Sequence, residues 1–195
     1  TRETKYIIDM KSVFLNNSAY NSGAALSTFE FIKIYLEVSV FQGNKYSTID
    51  SQTGTIFIMK NCTFRNNTSD SYGGGVYIIT TNIVVVQTSV FNLNAAEDGG
   101  ACYIRGTSLC SVRNSLFKSN IANDKGGGIR MYKTKLLVIN NTMFISNNCM
   151  QDGGGLYIVK TTELLEIKNV QFVSNRAINN DGGGCYFEDL TIGLI

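Results

Sequence analysis

Proline, tryptophan and histidine are all missing from these 195 residues. Without proline, no backbone N–H is lost from a sheet ladder, which suits a chain built of continuous strands. Without histidine, the usual general base and the commonest metal ligand are gone. Charge is sparse as well: 17 basic and 15 acidic side chains give a net charge of +2. They are interspersed, so there is no polybasic footprint for nucleic acid or an anionic membrane. The apolar runs are too short to span a bilayer, so no direct membrane insertion is expected. The length suits one domain over 1–195 with a long, narrow core.

What the chain does have is glycine, 19 in all, and a phrase that recurs. FRNNTSDSYGGGVYI (64–78), FNLNAAEDGGACYI (91–104), FKSNIANDKGGGIRM (117–131), FISNNCMQDGGGLYI (144–158) and FVSNRAINNDGGGCYF (172–187) are copies of it. FLNNSAYNSGAAL (14–26) is a worn copy, and FQGN (41–44) keeps only the opening. Aligning Phe14, Phe41, Phe64, Phe91, Phe117, Phe144 and Phe172 gives separations of 27, 23, 27, 26, 27 and 28 residues. Self-similarity at this period is the signature of a solenoid.

The columns have physical content. Three residues after each Phe stands an asparagine: Asn17, Asn44, Asn67, Asn94, Asn120, Asn147 and Asn175. Stacked carboxamides at strand spacing can donate to one neighbour and accept from the other, so this column is expected to be a structural ladder. Before each Phe lies an apolar, β-branched run such as NIVVVQTSVF or KLLVINNTMF, and such runs call for strands. The glycines repeat in register at what must be a corner, where positive φ and close approach favour them. A phosphate-binding loop would need Lys-Ser/Thr and a helix behind the glycines, and here VYI, CYI, IRM, LYI and CYF follow.

Together these features predict an all-β fold, a right-handed parallel β-helix of about seven coils of 26–28 residues. The coils are too long for hexapeptide left-handed helices or calcium-binding nonapeptide rolls. The chain opens inside a repeat and ends on DLTIGLI, so it is expected to be a segment of a longer chain or a subunit whose ends are covered.

Phe-x-x-Asn-x-Ala, a short spacer, Gly-Gly-Gly/Ala and an aliphatic-Tyr-Ile strand together resemble the repeat of polymorphic outer membrane proteins. Similar repeats occur in very large surface proteins of unicellular eukaryotes, within the pectin-lyase-like β-helix superfamily. The resemblance covers nearly all of 12–190. It implies an extracellular or cell-surface location, and the scaffold serves adhesins, structural fibres and polysaccharide enzymes alike.

Several residue sets are candidates for contacts. Asp98, Asp152 and Asp181 precede the glycines, with Asp124 displaced by one place. Asp152 and Asp181 fall on adjacent coils and are weak calcium candidates, against the simpler reading of Asp-Gly turns accepting backbone N–H bonds. Two places beyond the glycines come Tyr77, Tyr103, Arg130, Tyr157 and Tyr186. Alternation sends them outward as a contact strip for sugars or a neighbouring subunit, or as a stiffening aromatic ladder. Asn-x-Ser/Thr occurs at Asn16, Asn61, Asn66, Asn67 and Asn140. Asn16, Asn61 and Asn66 are expected to face solvent and to be the usable glycosylation sites, with Asn67 and Asn140 turned inward. The five cysteines, Cys62, Cys102, Cys110, Cys149 and Cys185, read as buried small residues without disulfides, Cys102–Cys110 being the nearest to a plausible pair.

No catalytic cluster, cofactor site or metal site is evident. The expected function is a non-catalytic extracellular structural or adhesive module, part of a filament, glycocalyx fibre or large adhesin. Its expected partners are neighbouring copies, further coils of the same chain, or glycans. The alternative is a carbohydrate-binding or polysaccharide-degrading protein of the same superfamily.

Overall fold

A computed structural model describes residues 6–161 and 163–191. Among them there is no helix, and hence none long and apolar enough to cross a membrane. All pairings between strands are parallel, and they form three sheets, two of which run the length of the described molecule. The expected all-β parallel β-helix is the observed fold.

The largest sheet stacks Tyr6–Met10, Leu26–Glu37, Ile49–Lys60, Val76–Gln87, Cys102–Arg113 and Ile129–Asn140 in order. Leu156–Val159 and Leu164–Lys168 then continue end to end, both paired to Ile129–Asn140, and Cys185–Glu188 follows the first of them. The second sheet has seven three-residue strands from Val13–Leu15 to Gln171–Val173, each centred on a repeat phenylalanine. The third is a four-stranded ribbon running from Ala95–Ala96 to Arg176–Ala177.

Register follows the repeat. Phe14, Phe41, Phe64, Phe91, Phe117, Phe144 and Phe172 pair in sequence, and their rings stack 4.7–5.1 Å apart with interplanar angles of 1–11°. That spacing is the distance between neighbouring strands, so the aromatic column and the backbone ladder share one repeat. Ile34, Phe57, Val84, Cys110 and Leu137 fill the facing side of the core, all fully buried.

Each coil turns four corners, and one residue at each has left-handed φ. The first corner follows the long strand, as at Asn61, Thr88 and Asn114, and the second follows the phenylalanine strand, as at Asn66, Leu93 and Ser119. The third is the first glycine of each triplet, Gly73, Gly99, Gly126, Gly153 and Gly182. The fourth bends the long strand at its middle, at Glu30, Thr53, Thr80, Gly106 and Lys133. Only one corner is built mainly of glycine. The others carry side chains in a conformation that costs roughly 1–2 kcal/mol per residue. Their N–H groups nevertheless stay in the ladder, as in Asn61 N to Gln87 O (3.0 Å) and Thr88 N to Arg113 O (3.0 Å). The short second coil omits the loop before the glycines, and Ser47 takes the left-handed conformation there.

Candidate functional site

The asparagine column forms an unbroken ladder in the interior. Each Nδ2 donates to Oδ1 of the next coil's asparagine, from Asn17 through Asn44, Asn67, Asn94, Asn120 and Asn147 to Asn175, at 2.9–3.0 Å. The same Oδ1 also accepts the preceding asparagine's backbone N–H. From Asn44 onward each Nδ2 donates a second bond to the phenylalanine carbonyl of the coil before. From Asn44 to Asn147 both amide hydrogens and both oxygen lone pairs are therefore used, which is what a buried carboxamide requires. In these five nothing is left over for a ligand.

A second polar column escaped the sequence reading. Ser39, Ser89, Ser115 and Thr142 lie two residues before Phe, and each hydroxyl accepts the backbone N–H of the preceding coil. Cys62 occupies this column and directs its Sγ at the carbonyls of Leu36 and Lys60. The Ser/Thr recurrence at that offset was the available signal.

The tyrosine strip needs a correction. Tyr77, Tyr103, Arg130, Tyr157 and Tyr186 do leave the outer face in one column. They are not an open strip, since Tyr103 is 6% exposed and Tyr157 2%. The loop preceding each glycine triplet folds over them. Tyr72 from that loop lies 5.4 Å from Tyr77 and 4.6 Å from Tyr103, centroid to centroid. The Arg130 guanidinium sits between the rings of Tyr103 and Tyr157, 5.6 and 5.4 Å from their centroids. It pairs closely with Asp98 and more distantly with Asp124, at 3.7 Å. Alternation correctly gave the direction of these side chains but could not show what covers them.

The acids before the glycines belong to the same cluster. Asp98 Oδ1 accepts the N–H of Lys125, and Asp152 Oδ1 accepts that of Asp181, both at 3.2 Å. The turn carboxylates thus bind backbone, but in the next coil rather than locally. Asp152 and Asp181 do not converge on an empty site: Asp152 Oδ2 has Lys125 Nζ at 3.4 Å. No group of three or more Cys, Asp or Glu side chains able to hold a metal occurs among the described residues. The Tyr157 hydroxyl donates to Glu188, and burial together with that carboxylate raises its pKa.

Burial also pushes the Asp98 carboxyl up, and Arg130 pulls it back down. In Arg130→Met the carboxyl rises further, since its opposing cation is gone. A folded-state pKa above the unfolded one favours folding only while the acid is protonated, and this advantage is lost as pH rises through the folded value. The variant should therefore be about 2 kcal/mol less stable than the parent at pH 7, with the deficit shrinking as pH falls toward about 4. Urea denaturation at the two pH values checks this.

The sequons separate by position. Asn16, Asn61 and Asn66 are exposed, each at a left-handed corner, whereas Asn67 is fully buried in the ladder. Asn140 is a further correction: Ile139 beside it points inward, so Asn140 faces out, half-buried and in line with Arg113 and Lys168. All five cysteines are free, and only Cys185 is not buried. Burial holds the Cys110 thiol at about 12 and the Cys149 thiol at about 11, so both stay protonated and inert at neutral pH. A maleimide should label at most one thiol per native chain at pH 7.5 and all five in denaturant, as intact mass would show.

Residues 61–79 match the Chlamydia polymorphic membrane protein repeat. No curated protein and no solved structure matches the chain. The matched stretch runs from the corner at Asn61 through Phe64, Asn67 and the glycine triplet into the strand at Val76. The coils of Phe91, Phe117 and Phe144 carry the same phrase in the same register. The chain is a parallel β-helix repeat protein similar, in this repeat, to the polymorphic membrane proteins of Chlamydia.

Proposed function

We propose that the chain is a non-catalytic, surface-exposed module, adhesive or structural, within a cell-surface filament, glycocalyx fibre or large adhesin. The observation that carries this reading is the in-register polar and aromatic stacking through every coil. The asparagine and phenylalanine columns run the full length, so bending the rod must break several ladders at once. The match to a surface-protein repeat supports the location. The charged groups at the glycine corner are paired with one another, which suits a scaffold better than an acid–base centre. Contacts are with neighbouring copies or further coils of the same chain, and Asn16, Asn61 and Asn66 carry N-glycans if the cell of origin adds them.

Biotinylation of intact cells with a membrane-impermeant reagent tests the location. The chain should be labelled before lysis; labelling only after lysis rejects the reading. Enzymatic removal of N-glycans should lower the intact mass at the three exposed sequons in a glycosylating host.

Binding of an acidic polysaccharide is a second reading, with its own observation. Arg105, Lys133 and Lys160 surround the Tyr132 ring at 5.1–5.7 Å. Beside them lies a cleft of about 460 Å³ lined by Lys133, Lys135, Lys160, Asp189 and Thr191. Retention on polygalacturonate, but not on a neutral glucan, would favour it.

A further inference from the structure

Lys60, Lys125, Arg130 and Lys135 each find a carboxylate one coil away, in Glu37, Asp152, Asp98 and Glu163. The cations around Tyr132 do not. Lys133 and Lys160 stand on successive coils at the same left-handed corner, with φ of 56° and 60°. Their ammonium groups lie 5.3 and 5.7 Å from the centre of the Tyr132 ring, and the Arg105 guanidinium lies 5.1 Å from it. None of the three makes an ion pair among the described residues.

This arrangement is costly for the fold. Like charges opposed on neighbouring strands are destabilising. The left-handed corner offers no compensation, since it favours glycine and asparagine over lysine. Cation–π attraction offsets part of the cost, but one neutral ring cannot neutralise three positive charges.

The acids close by leave the charge standing. Glu163 lies 3.7 Å from Lys135, and Glu188 accepts the Tyr157 hydroxyl. Asp189 is the one carboxylate that lines the cleft, together with Lys133, Lys135, Lys160 and Thr191. Three cations against Asp189 leave a local charge of +2. A concave site lined by one sign of charge concentrates its counter-ion.

We propose that this cleft binds a phosphate monoester carried on a sugar. The proposal deepens the acidic-polysaccharide reading and rests on it. Charge selects the group: a phosphate monoester carries about −1.5 to −2 at pH 7 and offers three terminal oxygens as acceptors. It therefore answers both the charge of the site and the three cations that supply it. A uronate or a sulfate ester brings a single negative charge and leaves the site positive. Size admits the sugar, because the cleft of about 460 Å³ falls within the roughly 300–1,000 Å³ of small-ligand sites. Thr191 places a hydroxyl on the same wall.

Calorimetric titration of the 195-residue chain with glucose 6-phosphate tests this. At pH 7.5 the ester should bind at least about 10-fold tighter than glucose 6-sulfate or glucuronate. At pH 5, where most of the ester is the monoanion, its affinity should fall about 5-fold. Lys133→Gln and Lys160→Gln should each weaken binding about 10-fold, and Asp189→Asn should tighten it about 3-fold. Lys133 and Lys160 are exposed, so both variants should keep the circular dichroism of the parent. Lys60→Gln, outside the cleft, should leave binding unchanged.

No heat of binding at about 10 mM glucose 6-phosphate overturns the proposal, as does binding that the cleft variants leave unchanged. Equal affinity for the sulfate ester, without a fall at pH 5, overturns the phosphate in favour of any anion. Inorganic phosphate bound as tightly as the ester overturns the part played by the sugar. Retention on polygalacturonate without phosphate binding rejects this inference alone, and loss of both rejects the polysaccharide reading with it.

Discussion

Asn94→Ala should destabilise the β-helix by about 3–5 kcal/mol, whereas Asn17→Ala should cost about 1 kcal/mol or less. Four hydrogen bonds end on the Asn94 side chain. Nδ2 donates to Asn120 Oδ1 (3.0 Å) and to Phe64 O (3.1 Å), and Oδ1 accepts from Asn67 N (3.2 Å) and Asn67 Nδ2 (2.9 Å). Truncation leaves two donors and two acceptors short of a partner at a site with no solvent exposure, and each buried orphan costs about 1–3 kcal/mol. Asn17 sits at the ladder's end, half-buried, with water able to replace its lost partners.

Asn94→Asp is the harsher variant. A carboxylate accepts but cannot donate, so it would face the oxygens of Asn120 and Phe64. Burial would raise its pKa, so the variant is least impaired below about pH 4 and loses stability as pH rises to the elevated folded value. Urea midpoints for the three variants check the ranking. Hydrogen exchange should place the loss in the coils flanking Asn94, because a solenoid is stabilised between nearest neighbours.

The fold was legible because its information is repeated. Seven phenylalanines and seven asparagines at a constant offset state the coil length and the pairing register without any tertiary knowledge. The site was less legible, for two reasons. First, the tyrosine column was judged by alternation alone, and alternation says which face a side chain leaves from but not what lies on that face. Tyr72 and Asp98 reach Tyr103 and Arg130 from loops whose fold the repeat does not specify. Second, IVVV calls for a strand, but four apolar residues in succession do not say that Val84 and Val86 are the buried ones. The corners were hidden for another reason. Asn61, Thr88, Leu93 and Lys133 share a left-handed backbone but no side-chain type, so no column of identical letters marks them. Asn140, expected inward, faces out because the corner after the long strand interrupts the count of alternation between it and Phe144.

The glycine triplet provides the second large effect, because its members are glycine for more than one reason. Gly126 has φ +67°, and alanine there should cost about 1–2 kcal/mol from the left-handed conformation, plus whatever its contact with the Ile129 carbonyl, 2.6 Å from the added Cβ, requires. Gly127 has no positive φ. A Cβ there would lie 2.3 Å from Asn148 O and 2.4 Å from Gly154 O, both backbone atoms of the next coil that are held in ladders of their own. Relieving that contact means parting two coils, so Gly127→Ala should cost at least about 3 kcal/mol, the upper range of overpacking. The third position is the most permissive in the coil of Gly75, whose added Cβ would come no closer than 3.0 Å, to the carbonyl of Ala101. Ala101 itself is the residue aligned with it one coil on. Gly75→Ala should therefore stay within about 1 kcal/mol of the parent. If Gly126→Ala proved more damaging than Gly127→Ala in urea unfolding, backbone conformation and not the approach of successive coils would be the main reason for the triplet.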